Sequence, residues 1–278
     1  MDSKVRIRVD SASENTVPDR AEFFYAKCGC YSNDPSDPGY DPDAPGPGPG
    51  AVNDLDFNQI DIFGEWALGR FSVFGQLPMR WIQPQSFIPG TGAAFPNQSG
   101  LGDLRGGVRV ALADSDVQSL TVQAQFYAPT GDASLGLGTN HASFEPALLY
   151  YRRLSDVAVL ESQFGVWFPL SGSAGVPISA AEDFSGEVLN FGVGAGFEVY
   201  RSSRVMLGPV VELVGWWVMG GFQTAPTPQA EGTKIVNLKI GGRVSIDDLH
   251  SIYVGYGHAL TDATWYDDIV RFEYRYSF

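Results

Sequence analysis

Apolar and polar residues alternate along nearly the whole chain, and almost nowhere do apolar residues recur at helical spacing. From Arg20 onward, twelve segments rich in Val, Phe, Tyr and Gly carry this period-two pattern and predict β-strands. The first six are Arg20–Cys28, Asp54–Ala67, Arg70–Ile82, Gly102–Ala113, Val117–Ala128 and Asn140–Arg153. The second six are Val157–Phe168, Gly186–Tyr200, Val205–Met219, Thr233–Ser245, Ser251–Leu260 and Tyr266–Phe278. Tight connectors, such as Leu68-Gly69 and Asp114-Ser115-Asp116, alternate with connectors that are mostly long: 29–53, 83–101, 129–139, 169–185 and 220–232. In an up-and-down meander this places every tight turn at one end and every longer loop at the other.

That asymmetry, with an even strand count, is the pattern of an outer-membrane barrel with short periplasmic turns and longer extracellular loops. The fold class expected is all-β: a transmembrane antiparallel up-and-down β-barrel of about twelve strands. Segment length agrees, because strands of soluble sandwiches average ~5–6 residues. Residues 1–19 read as a periplasmic tail, 20–278 as the barrel, and 29–53 as a flexible extracellular loop rich in Pro, Gly and Asp. Val5–Val9 also alternates and fits a tail, a lumen insert or an extra strand. Pro146 and Pro209 predict bulges or early strand ends, because proline cannot donate to a ladder. Aromatic girdles are expected at both interfaces: Trp66, Phe71, Tyr150, Tyr200 and Phe278 by the tight turns; Trp81, Phe126, Phe168, Trp216 and Trp217 by the loops.

Composition narrows the partners. The chain of 278 residues has no run of ~18 apolar residues, which excludes membrane helices. A net charge of −14 without a basic block excludes nucleic acid. Cys28 and Cys30 alone make neither a disulfide framework nor a zinc site, and no cofactor or metal is expected. The acidic stretch 34–43 lacks the positional pattern of a calcium loop. The N-terminus MDSKVRIRVD has no signal-peptide core, so an outer-membrane location implies a leader already removed. Outer-membrane lipid and a small-molecule solute are the partners expected.

In the last segment Phe272, Tyr274, Tyr276 and Phe278 share one face, against Arg271, Glu273, Arg275 and Ser277 on the other. A C-terminal strand ending on Phe278 resembles the signal read by the barrel-assembly machinery, which adds that machinery as a partner. The stretches Gly100–Leu112 (GLGDLRGGVRVAL), Gln125–Ala133 (QFYAPTGDA) and Ser143–Asp156 (SFEPALLYYRRLSD) resemble the outer-membrane barrel family "Putative MetA-pathway of phenol degradation". The resemblance covers about half the chain and implies passive passage of small hydrophobic or aromatic solutes, without catalysis.

Strand parity assigns residues to lipid or lumen. With Val108, Val110 and Leu112 facing lipid, Arg105 and Arg109 turn inward, as do Glu145, Glu161, Glu198 and Glu212. Lys239, Arg243, Arg271, Glu273, Arg275 and Arg80 also point inward. The lining expected is therefore acidic over strands six to nine and basic from strand ten through the closure to strand four. Two readings follow: a pore constriction with a transverse field, or a salt-bridge network filling a closed barrel that acts through its loops. A more distant alternative is a phospholipase-like hydrolase built on His141 and Ser143, although Phe144-Glu145 follow the serine where outer-membrane phospholipases carry Asn-Gly. His258, Asp262, Asp267 and Asp268 lie near the same rim without a protease motif.

Overall fold

The computed structural model describes residues 2–16, 52–87, 89, 94, 96–170, 185–221 and 230–278. Twelve antiparallel strands close on themselves. They are β1 (Lys4–Asn15), β2 (Val52–Leu68), β3 (Phe71–Phe87) and β4, which runs as Gln98–Leu101 and then Leu104–Asp114. Next come β5 (Gln118–Ala128), β6 (Ser143–Ser155), β7 (Ala158–Pro169) and β8 (Val188–Phe197, continued briefly by Tyr200–Arg201). The last four are β9 (Val205–Val218), β10 (Lys234–Ile246), β11 (His250–Ala259) and β12 (Asp268–Ser277). Each strand pairs with its sequence neighbours, and β1 joins β12 from Lys4 opposite Ser277 to Ser13 opposite Asp268.

This closure corrects the strand expected first. The closing strand is Lys4–Asn15, which pairs with both β2 and β12, so residues 4–15 belong to the barrel wall and not to a tail. Arg20–Cys28, Cys30 and most of the 29–53 connector lie outside the described residues. Lys4, Arg6, Arg8 and Asp10 alternate with Val5, Ile7 and Val9. Viewed along the chain, four charged residues suggest solvent. Paired on both edges, the same alternation sends the charges inward and leaves Val5, Ile7 and Val9 on the outer face, where all three are exposed.

The outer face follows the alternation elsewhere: Val108, Val110, Leu112, Val254, Val270 and Phe272 are all exposed. At the tight-turn end Trp66 packs edge-on to Phe278 with ring centroids 6.1 Å apart. At the loop end Phe126 and Phe144 lie 4.8 Å apart. Trp217 faces outward, but Trp216 does not belong to the girdle: it turns in and packs on Trp265 at 4.9 Å. Adjacent residues of a strand point to opposite faces, so only one of the two tryptophans can meet lipid.

The turns use ordinary turn chemistry. Gly69, at φ +61°, reverses the chain between β2 and β3. Asp247 and Asp248 both adopt positive φ between β10 and β11, as short hairpins require. Arg204 bonds Asp247 through Nε and Nη2 at 2.8 and 2.7 Å, and that guanidinium lowers the Asp247 carboxyl from its ordinary value. Both prolines mark lapses in pairing. The β6–β7 ladder skips Glu145 and Pro146 between Phe144 and Ala147, while Pro209 lies opposite Gly242 on β10 where the β8–β9 ladder is interrupted.

Candidate functional site: the barrel lumen

Along the barrel axis, the interior divides into a charged hollow and an apolar stopper. Three adjoining cavities lie along the hollow. The one at the tight-turn end has a volume of about 790 Å³ and is lined by Glu161, Glu198, Glu212, Arg243 and Arg275 among others. The next, about 450 Å³, shares Glu161 and Glu212 with it and adds Lys4, Arg109, Lys239 and Arg271. The third, about 370 Å³, shares Arg109 and adds Arg6, Arg8, Arg105, Glu145 and Trp265.

The lining departs from two walls of opposite sign. Sequence parity places basic residues on β10, β12 and β4, but the acids of β1 and β2 interleave with them. Arg271 holds Asp10 through Nε (2.7 Å) and Nη2 (2.9 Å). Arg8 bonds Asp61 and lies 3.2 Å from Asp10. Glu65 takes Arg109 at 2.7 Å, Lys4 at 3.0 Å and the Ser72 hydroxyl at 2.6 Å. Glu273 is shared by Arg275 at 3.0 Å, Arg243 at 3.5 Å and Arg6 at 3.8 Å. Gln59 and Gln76 complete Asp61 with donors at 2.7 and 2.6 Å. Pairing is the expected state for charges crowded into a barrel, since an unpaired buried charge costs several kcal/mol. Asp10, Asp61 and Glu65 cannot be assigned along the chain, because the register of β2 is ambiguous in sequence and the first alternating segment fits a tail, a lumen insert or a strand; the charge alternation of Lys4–Asp10 is the available signal.

Burial sorts the two signs. The Asp61 side chain is 0% exposed and that of Glu65 is 3%, while Arg8 keeps 18% and Arg109 19%. Carboxylates lie against the wall and guanidinium groups lie over them, so the layer facing the hollow is cationic on this side. Glu161 and Glu212 face it from β7 and β9, and their carboxylates make no ion pair or hydrogen bond among the described residues. Glu212 is the cross-strand neighbour of Lys239, whose ammonium lies 5.6 Å from the Tyr266 ring. Arg105 lines the third cavity beside the Tyr127 ring, not the middle one with Glu161. Glu145 is bound by Tyr127 and by Asn190 Nδ2 at 3.1 Å. Glu198 pairs with Arg201 beside the turn, at the mouth of the first cavity.

At the loop end the lumen is filled. Leu55, Ile82, Leu137, Val188, Ile235 and Trp265 pack into one cluster and are each at most 1% exposed. Leu137 reaches it from the β5–β6 connection, and Trp265 and Tyr266 from the β11–β12 connection, so these loops fold inward. One carboxylate fastens the β5–β6 connection. Asp103, in the break of β4, accepts from the amides of Gly131 (2.9 Å) and Thr139 (2.8 Å) and from the Thr139 hydroxyl (2.9 Å). Arg80, fully buried, donates to the Leu137 carbonyl (3.0 Å) and to Gln59 Oε1 (2.6 Å). A Cβ at Gly138 would lie 2.6 Å from Asp103 Oδ1, so the close approach requires glycine there.

Residues 51–169 match the family model "Putative MetA-pathway of phenol degradation". The resemblance carried by Gly100–Leu112 and Gln125–Ala133 is borne out, and those motifs now have a physical role: they contain Asp103 and Gly131, the two ends of the fastening. The fold is similar to that of the COG4313 outer membrane channel from Pseudomonas putida F1, with a TM-score of 0.62 and 12% identity over 100% of this chain and 96% of that one. It is also similar to the beta domain of the Bordetella autotransporter Brka, with a TM-score of 0.53 and 15% identity over 100% of both chains. At such identities the likeness concerns the barrel fold alone. No curated protein matches the chain at the sequence level.

His141 and Ser143 do come together, with Ser143 Oγ 3.1 Å from Nδ1. Both are 1% exposed, and the imidazole packs 5.5 Å from the Trp167 ring inside the stopper. A hydrolase at the lipid interface would need this pair on the outer face, so the geometry removes the basis for that reading. His258, Asp267 and Asp268 cluster at the rim, where His258 Nδ1 is 2.9 Å from Asp268 and 3.8 Å from Asp267.

Proposed function

We propose that this protein is an outer-membrane channel for passive passage of small solutes, gated at its loop end by the apolar stopper. The observation that carries the reading is the run of three adjoining charged cavities, from the tight-turn mouth to the underside of the stopper, with Glu161 and Glu212 unpaired and facing guanidinium groups. A barrel whose only role was structural would favour filling this space with side chains. Arg105, Arg109, Glu145, Glu161, Glu212, Lys239 and Arg271 line the path, and Glu198, Arg243 and Arg275 its periplasmic mouth. Outer-membrane lipid covers the apolar face, and the barrel-assembly machinery reads the strand ending at Phe278.

The second reading, a closed barrel acting through its loops, is favoured by the stopper itself. Planar-bilayer recordings separate the two. A channel gives single-channel events in wild type and a larger or more frequent conductance in Asp103→Ala, which unfastens the β5–β6 connection. Reversing Glu161 and Glu212 to lysine should shift ion selectivity toward anions. Silence in wild type and in Asp103→Ala alike, with both proteins folded, overturns the channel reading.

A further inference from the structure

The third cavity, beneath the stopper, combines two features that the other two do not. Among the described residues its charged lining is four guanidinium groups, Arg6, Arg8, Arg105 and Arg109, against the single carboxylate of Glu145, which already holds Tyr127 and Asn190. Its remaining lining includes the half-buried rings of Trp216 and Phe191, alongside the buried Phe63, Trp167 and Trp265. Volume is suitable: about 370 Å³ lies within the ~300–1,000 Å³ usual for small-molecule sites.

Arg6 is the group left incomplete. Its guanidinium stacks over Phe63 at 4.6 Å, and its nearest carboxylate, Glu273, is 3.8 Å away, beyond hydrogen-bond reach. Its Nε is buried without a hydrogen-bond partner, and Arg6 makes no side-chain hydrogen bond among the described residues. Stacking satisfies the face of a guanidinium and, with Nε buried toward Glu273, leaves the edge of the two terminal nitrogens for an acceptor. Arg8 and Arg109, by contrast, bond Asp61 and Glu65 directly.

We propose that this cavity is a binding subsite for a small aromatic carboxylate, with the carboxylate on Arg6 and the ring against Trp216. The proposal rests on the channel reading for its purpose and names the class of solute. A neutral phenol would fill the aromatic part but leave the Arg6 edge unpaired. A carboxylate matches that edge with two charge-assisted hydrogen bonds. An inorganic anion would match the edge and leave the rings uncovered.

Isothermal titration calorimetry on the folded protein in detergent tests this with four probes: sodium benzoate, benzamide, phenol and sodium acetate. Benzoate should bind about tenfold or more tightly than each of the other three, since one lost charge-assisted contact or one lost ring stack is each worth ~1–3 kcal/mol. Arg6→Gln, which keeps a polar side chain and removes the charge and the guanidinium, should bring benzoate down to benzamide. Arg204→Gln, at a distant turn, should leave the titration unchanged. Equal binding of benzoate and phenol, equal binding of benzoate and acetate, or no binding overturns the subsite even if Arg6→Gln fails to fold. Binding without bilayer conductance would instead keep the subsite and overturn the channel reading.

Discussion

Asp10 and Arg271 are cross-strand neighbours at the seam where the first and last strands meet, and they join through two parallel hydrogen bonds of 2.7 and 2.9 Å. The two residues are 261 positions apart in sequence. Their side chains are 5% and 21% exposed: Arg271 lines the middle cavity of the lumen, and Asp10 is buried against it. Barrel closure and lumen electrostatics are therefore properties of one contact.

Breaking that contact on one side leaves Arg271 beside Lys239 without its carboxylate. Asp10→Asn is expected to destabilise the folded barrel by about 2–3 kcal/mol, the range for a hydrogen-bonded charge pair. Urea unfolding in lipid vesicles, followed by tryptophan fluorescence, measures it. Asp10→Asn with Arg271→Gln should recover part of the loss, because no charge is then left unpaired.

The N-terminal strand completes the ladders of two neighbours. Removing residues 2–15 exposes the edges of β2 and β12 along their whole paired length, and lipid supplies no hydrogen-bond partners to either. The truncated chain should lose the heat-modifiable shift on cold SDS gels that a closed barrel gives. Retention of that shift would mean that another segment closes the barrel.

Asp103 is expected to control the order of the β5–β6 connection. Asp103→Ala removes three acceptor contacts and should speed amide hydrogen exchange at Gly131 and Thr139 by about tenfold or more, one lost hydrogen bond being worth ~1 kcal/mol or more. Exchange measured by mass spectrometry at strand amides such as Val122 should remain slow.

The outer face should tolerate apolar exchange and resist charge. Val108 lies mid-strand on the lipid side, and Val108→Arg should cost roughly 2–4 kcal/mol of folding free energy in a bilayer. Val108→Leu should be close to neutral in the same unfolding assay.

Much of the architecture was legible along the chain. Twelve strands, the alternation of tight turns and longer loops, and the lipid-facing rows around Val110 and Phe272 follow from a period of two and from turn residues, which are local. Arg109, Lys239 and Arg271 could be turned inward by the same parity, because each lies in a strand whose opposite face is plainly apolar. Asp61 and Glu65 could not, because Asp54–Ala67 has apolar residues on both parities and its register is decided only by β1 and β3. The role of Lys4–Asn15 was equally closed to a local reading: a charged alternating segment is a tail or a strand according to whether two edges are available to it.

Three features came only from the tertiary structure. The inward fold of the β5–β6 and β11–β12 connections depends on Asp103, Gly131 and Thr139 meeting across 28 and 36 residues of sequence. Trp216 joins the stopper, and Trp217 the girdle, through the pairing of β9 with β8 and β10. The layering of guanidinium over carboxylate depends on side-chain length within a closed cylinder: short Asp10 and Asp61 stay at the wall, and long arginines reach over them toward the axis. Alternation along one strand determines which face a residue occupies. How deep its charge lies, and what it meets there, is determined by the strands around the rest of the barrel.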